Sequence, residues 1–381
     1  MDRRAWMLLV ALALALGITV VWRCSSRPAA APVASVPTAE TPHATPAAEP
    51  TVEPAAAEEP EPELPEAVQR YLASTVYPPT SGTLEATAVD LLEPNRRYER
   101  MKRVPGSMGV EPPPSFLWTA DRYHYTSDEV VHARFEATAG GVPTRALRLD
   151  AVAQPEGRAG PEGPSIDLAF RAEGDALLAD LDLSQELPDH HGPVALTADY
   201  TLPGVEPQEE TIRIFVTPAA AIPARFTGNF RDQVRNGGLE IEAGIEVYVP
   251  GFYRIDANLY DAAGDPIAWA VHKGNLDSHD GVVPLRFFGK VLHDAGRPGP
   301  YLLGALRGYL FRDGEFPDRL HMRSHPGRYA TGAYTSDEFS PQEWDGEHRQ
   351  RMVELLLEDE RRGITLDAPP TATLDAPPGA P

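Results

Sequence analysis

The chain has 381 residues, 42% of them hydrophobic, and carries 56 acidic against 34 basic side chains, a net charge of −22 at neutral pH. A field of that sign repels a phosphodiester backbone and argues against a nucleic-acid partner. The length leaves room for about two globular domains, and the single cysteine, Cys24, excludes an internal disulfide or a cysteine-built metal cluster.

Residues 1–4 form a short, basic N-terminus. Residues 5–22 follow without a charge, with Trp6 and Trp22 near the two ends and Arg3, Arg4, Arg23 and Arg27 flanking them. As a helix this stretch covers roughly 27 Å, enough for a single crossing of a hydrocarbon core of about 30 Å, and indoles favour the headgroup layer. It predicts a retained transmembrane anchor. A cleaved signal peptide is the competing reading, but its nearest small-residue site, Ala29-Ala30-Ala31, lies well past Trp22. The four-residue N-terminus and the lack of Lys or Arg from 28 to 69 favour export of the C-terminal part. In a bacterium this predicts a single-pass inner-membrane protein with its bulk in the periplasm. Trp22 and Arg23 are not the small residues that precede a lipid-modified cysteine, so Cys24 is expected to be an inert or dimer-forming thiol.

From 23 to 65 the composition collapses to Ala, Pro, Glu, Thr and Val, with eight glutamates between Glu40 and Glu66. Proline stiffening and like-charge repulsion predict a disordered, extended spacer with a reach on the order of 100 Å. A helical and extended lead-in is expected over 66–110, beginning with Val68, Tyr71, Leu72 and Val76 at helical spacing before Pro78-Pro79. A second amphipathic segment spans 84–92.

Two β units follow, so the fold expected is mainly β: two tandem antiparallel β-sandwiches, with short helices before them and a C-terminal helix after. The first, 115–218, has about seven short strands at immunoglobulin-like spacing, with turns such as Ala139-Gly140-Gly141-Val142-Pro143. The second, 223–325, holds the clearest pattern in the chain. Leu239, Ile241, Ala243, Ile245, Val247 and Val249 alternate with polar residues, and so do Tyr253, Ile255, Ala257 and Leu259. Leu302, Leu306 and Leu310 read as one strand face shared with Gly304 and Gly308, glycines that would admit another backbone. Over 326–363 an extension leads to a helix, with Ser340-Pro341-Gln342-Glu343 in the form of a capping box. The tail, 364–381, repeats Thr-Leu-Asp-Ala-Pro-Pro and is expected to be disordered.

The sequence lacks a Gly-rich phosphate loop, H-E-x-x-H and Gly-x-Ser-x-Gly. No catalytic residue is assigned. Arg96, Arg97 and Arg100 belong to the one dense basic cluster and are candidates for an anionic ligand, weighed against a solvated face. Trp269 and Tyr260, with Tyr253, Phe287 and Phe288, are candidates for a sugar-binding face, weighed against core packing. Asp261, Asp265, Asp277 and Asp280 could offer hard oxygen ligands to Ca²⁺ from neighbouring loops, but Asp also makes ordinary turns. His321 and His325, and the pair His190-His191, are read as surface or capping histidines rather than metal ligands.

Several blocks resemble the choice-of-anchor family of bacterial envelope proteins, type X. They are Ala224-Arg225-Phe226-Thr227-Gly228-Asn229-Phe230-Arg231-Asp232, Asn258-Leu259-Tyr260-Asp261, Val283-Pro284-Leu285-Arg286-Phe287-Phe288-Gly289-Lys290, and upstream Leu91-Leu92-Glu93-Pro94-Asn95-Arg96-Arg97. The resemblance spans about residues 70–360. It implies an exported region on an exchangeable anchor and carries no catalytic residues. The function expected is therefore a non-enzymatic, membrane-tethered binding or structural module whose partner is an envelope protein or glycan. An envelope hydrolase acting on glycan or peptide and a calcium-stabilised adhesion module are the alternatives.

Overall fold

A computed structural model describes residues 64–97, 99–104, 112–277 and 279–364. The expected anchor at 5–22, the spacer up to residue 63 and the tail from residue 365 lie outside the described residues. Among the described residues no helix is long and apolar enough to cross a membrane. The chain is mainly β, in several sheets that pair almost wholly antiparallel.

The lead-in contains helix α1 (Glu66–Ser74), strand β1 (Ser81–Thr83) and a one-turn helix α2 (Val89–Leu92). The helical spacing seen in sequence puts Val68 fully inside, on the face of α1 turned to the protein. The amphipathic stretch over 84–92 yields only α2, because Leu84 is taken up as an extension of a sheet: its N–H donates to Ile267 O at 3.0 Å.

The first sandwich follows. Its strands are β2 (Lys102–Arg103), β3 (Ser115–Ala120), β4 (His124–Thr126), β5 (Val130–Ala139), β6 (Val142–Pro143), β7 (Arg148–Gly157), β8 (Gly160–Pro161), β9 (Ile166–Asp167), β10 (Phe170–Glu173) and β11 (Ala176–Asp182). After a helical turn α3 (Leu183–Glu186) come β12 (Gly192–Thr201) and β13 (Gln208–Thr217). One sheet runs β10-β11-β5-β3-β2 and the other β4-β13-β12-β7-β8, with β4 parallel to β13. Alternating residues of both sheets meet in one core: Phe116 and Trp118 from β3, Val131 and Phe135 from β5, Leu196 and Tyr200 from β12, Ile214 from β13. Each side chain of this size removed from water contributes about 1.5–3 kcal/mol. Trp118 Nε1 donates to Leu196 O at 2.9 Å, so the indole crosses the core with its polar atom satisfied.

The second sandwich contains β14 (Ala224–Arg235), β15 (Gly238–Val247), β16 (Gly251–Tyr260), β17 (Pro266–Leu276), β18 (His279–Phe287), helix α4 (Gly289–Ala295), β19 (Leu302–Phe311), β20 (Arg319–His321) and β21 (Tyr329–Ala330). The sheet β14-β15-β18 faces the sheet β1-β17-β16-β19-β20, and β21 pairs with β19. The alternation predicted for 239–247 and 253–259 holds: Leu239, Ile241, Ala243, Ile245 and Val247 meet Tyr253, Ile255, Ala257 and Leu259 in one core.

The order along the chain is not the order in space. β1 precedes the first sandwich in sequence yet forms the edge of the second, with Ser81, Gly82 and Thr83 paired to Ala270, Trp269 and Ala268. The lead-in is therefore part of the second sandwich, and the first is inserted into it. Gly82 leaves room for the Trp269 indole at this crossing, since a Cβ there would lie 3.1 Å from the ring.

The expected capping box at 340–343 is not a helix start. Ser340 Oγ accepts from Gln342 N, but Trp344 N donates to Val76 O at 2.9 Å and holds this run extended against the lead-in. The terminal helix α5 (Glu347–Arg361) begins after Gly346, and a capping box forms instead at Thr335 and Glu338, on the short turn before it. Arg349 on α5 is only 7% exposed. It donates to Leu72 O, Thr75 Oγ1, Trp344 O and Glu343, tying both ends of the described chain together. Removing a buried group with that many partners leaves unpaired acceptors behind. Arg349→Ala is expected to lower unfolding stability in urea by about 2–4 kcal/mol, with a much smaller change for Arg351→Ala on the exposed face of the same helix.

Candidate functional site

Two asparagines fasten the lead-in, one from the second sandwich and one on the lead-in itself. Asn258 on β16 is 1% exposed and donates from Nδ2 to Leu91 O at 2.7 Å. Four residues further on, Asn95 does the same toward the first sandwich: its Nδ2 donates to His124 O at 2.8 Å and its Oδ1 accepts from His124 N at 2.6 Å. Tyr123 N donates to Asn95 O. The segment from Leu91 to Arg96 is thereby a strap pinned to both sandwiches.

Beside the strap runs a polar groove in two adjoining lobes that share Pro94, Asn95 and Ser324. The narrow lobe, of about 180 Å³, is lined by His124, Asp256, Arg307, Tyr309 and His321. The open lobe, of about 630 Å³, is lined by Arg96, Arg122, Tyr260, Ala305, His325 and Arg328.

A break in the β16–β19 pairing shapes this surface. Asp256 faces Arg307 and Asn258 faces Gly304, so one residue on β16 opposes two on β19. Ala305 absorbs the bulge at φ +49°, a left-handed conformation that favours glycine. The bulge also splits the face expected for 302–310: Leu306, Gly308 and Leu310 share it, and Leu302 and Gly304 turn to the other side. Gly304 looks outward with Asn258, while Leu306 and Leu310 point into the core. Gly304 leaves the space in which Arg328 lies over the Tyr260 ring, 4.1 Å from its centroid; a Cβ would meet both at 3.2 Å. Gly308 admits the β16 backbone, as its sequence context predicted, since a Cβ would lie 2.9 Å from Arg254 O.

At the inner end of the groove, aromatic and imidazole rings from both sandwiches interlock. The His124 and His321 centroids are 4.4 Å apart, and Phe215 packs against His124, His191 and His321 at 5.5–5.9 Å. Burial holds all three histidines below the usual imidazole range, His321 down to about 4. Neighbouring positive charge adds to this: His321 and Arg122 at His124, Arg312 at His191, Arg319 at His321. Arg312 Nη2 donates to His191 Nδ1 at 3.2 Å, which fixes the proton of His191 on Nε2, facing Arg319 O. The junction is built for neutral imidazoles.

The residues singled out in sequence are distributed as follows. Arg96 and Tyr260 line the groove. Arg97 turns to the first sandwich, where it pairs with Glu99 and donates to Arg213 O, and Arg100 is exposed away from these contacts. Trp269 is half-buried under β1. Tyr253 and Phe287 are sealed in the core, so the expected five-aromatic sugar face does not form.

The four aspartates weighed as calcium ligands are set apart along the chain's strands. Asp261 and Asp265 lie in the turn before β17, whereas Asp277 follows its last residue and Asp280 lies on β18. An eleven-residue strand separates the two pairs by roughly 30 Å. Asp261 caps its own turn, accepting from Ala263 N and Asp265 N, and pairs with Arg297. Among the described residues no three His, Cys, Asp or Glu side chains could hold a metal ion together. His321 and His325 both reach the groove, but from a strand and a loop, in separate lobes. Sequence reasoning missed Arg307, Arg328 and His124. The one signal near them was the Gly304/Gly308 pair.

No protein-family model and no curated protein matches the chain. Among solved structures, it is similar to a DUF4785 family protein from Legionella pneumophila at 17% identity and a TM-score of 0.40, covering 57% of each chain. It is also similar to a chimeric titin Z1Z2 tandem, at 13% identity, a TM-score of 0.20, and coverage of 57% of this chain and 98% of that one. The chicken interferon gamma receptor alpha chain gives 7%, 0.22, 56% and 96%. The chain thus spans little more than half the length of the Legionella protein, and likenesses this distant transfer no activity.

Two outcomes follow from the groove's construction. Because the folded histidines resist protonation, the unfolded chain binds more protons below pH 6.5, and stability falls as pH drops from about 6.5 toward 4. His321 alone accounts for about 3 kcal/mol over that window. Urea midpoints measured across pH 4–7.5 should show this slope, and His321→Phe should flatten it. Ala305→Gly relieves the left-handed alanine and is expected to stabilise the protein by about 0.5–1 kcal/mol in the same assay.

Proposed function

We propose that this chain is an exported, membrane-tethered binding or structural module of the bacterial cell envelope, with the groove beside the strap as its ligand-facing surface. The observation that carries the reading is a continuous polar groove built jointly by two sandwiches and the strap. Concave, water-accessible sites of this kind sit preferentially where domains meet. The uncharged stretch at 5–22 and the spacer to residue 65 supply the tether. The strand order of the first sandwich, with four main strands in one sheet and three plus a parallel β4 in the other, supports an immunoglobulin-like reading. The blocks at 224–232 and 283–290 support kinship with the choice-of-anchor family, in which the anchor is the exchangeable part.

The hydrolase alternative has less behind it. A general acid needs a carboxyl whose pKa is raised toward neutrality. Every described carboxylate with a shifted pKa is instead held low, against the effect of burial, by hydrogen bonds and, at most of them, a neighbouring arginine, Asp121 and Glu129 beside the groove included.

Fractionation of cells expressing the full chain tests the tether. The protein should remain with membranes through alkaline carbonate, enter solution in detergent, and be digested from the periplasmic side in spheroplasts. A mature chain beginning after Ala31 and released by carbonate would contradict the reading.

A further inference from the structure

The arginines around the groove divide into two groups. Arg96 pairs with Glu93, Arg122 with Asp121 and Glu129, Arg254 with Asp256, and Arg323 with Asp128. Arg307 and Arg328 have no carboxylate within 4 Å among the described residues, in a chain with 22 more acidic than basic side chains. The nearest acid across the strand pair from Arg307 is Asp256, and it spends both oxygens on Arg254, at 2.8–3.1 Å.

Arg307 is largely buried, and the one hydrogen bond of its guanidinium among the described residues runs from Nη1 to Ala305 O at 2.9 Å. Arg307 is one of the residues that line the narrow lobe. Taking a guanidinium out of water is costly, and here the charges of Asp256 and Asp90 offset that cost only in part. Burial accordingly pulls its pKa below the ordinary guanidinium value. The left-handed bulge at Ala305 is what turns the β19 chain so that Arg307 follows on the groove side. Arg328, in the open lobe, is exposed and stands over the Tyr260 ring, which helps to position its guanidinium.

We infer that the groove binds a small ligand through an oxyanion group, a carboxylate or a phosphate, received by Arg307 at the narrow end and Arg328 at the open end. The inference rests on the reading of the groove as the ligand-facing surface. Planar guanidinium forks match the two oxygens of either group with parallel, charge-assisted hydrogen bonds. Ser324, which lines both lobes, offers a neutral hydroxyl. The neutral imidazoles leave the guanidiniums as the positive groups that answer the ligand.

The test is a thermal-unfolding titration of the full chain in non-ionic detergent at pH 7.5, with ionic strength held constant by sodium chloride. Sodium phosphate and sodium citrate are the two probes. Saturable stabilisation by phosphate alone, or by citrate alone, supports the site and names the group it prefers. In either case the apparent Kd should weaken by about tenfold or more in Arg307→Gln and in Arg328→Gln. Arg328 is exposed, so its variant keeps the test valid if Arg307→Gln does not fold. Absence of stabilisation by both probes, or equal stabilisation in both folded variants, overturns the inference. Membrane fractionation of the same protein is independent of this result, so a failed titration leaves the tether reading standing and a failed fractionation leaves the site standing.

Discussion

Two asparagines hold the same few residues of chain to two different sandwiches, and the rest of the architecture depends on that clamp. Asn258 grips Leu91 O from the second sandwich and Asn95 pairs with the backbone of His124 in the first. An amide side chain suits this work because it donates and accepts from one plane, so it can stand in for a missing strand neighbour. Both contacts are sheltered, where each hydrogen bond left unmade costs more than the bond itself contributes. Through them the lead-in serves as the edge of one sandwich at β1, a strap at 91–96, and the entry to the other sandwich. The groove exists because the strap keeps the sandwiches at a fixed distance on one side, while the ring cluster around Phe215 closes the other.

Charge is organised around the same junction. The chain is strongly acidic, yet the contact between sandwiches uses aromatic rings, neutral imidazoles and arginines, with Asp128–Arg323 as an ion pair across it. Neutral histidines let polar rings pack at short range without the desolvation cost of buried charge, and this makes the junction sensitive to acid. The guanidiniums of Arg307 and Arg328, with no carboxylate partner among the described residues, lie beside it. Structural neutrality and ligand-directed charge are thus kept in separate parts of one interface.

What the sequence disclosed and what it withheld follow from the range of the interactions concerned. The strands at 239–247 and 253–259 were legible because period-two alternation is a local consequence of one dry face. The multi-strand first sandwich was legible for the same reason. β1 was not, because three residues carry no periodicity and its partner lies nearly 190 positions away at Ala268–Ala270. The bulge at Ala305 was hidden because alanine gives no sign of a left-handed backbone, so Leu302 was assigned to the face that Leu306 and Leu310 occupy. The aspartate pairs looked close because Asp277 comes only sixteen positions after Asp261, but an extended strand places them far apart. Arg96 and Tyr260 were found from local composition; Arg307 and Arg328 needed a census of partners that only the folded chain provides.

The central claim is that the strap makes the two sandwiches a single cooperative body. Differential scanning calorimetry of the full chain tests this most directly, with Asn95→Ala and Asn258→Ala combined as the comparison. The account predicts one transition, with equal calorimetric and van't Hoff enthalpies, that splits into two when both asparagines are removed. Two independent transitions in the unaltered chain would contradict it.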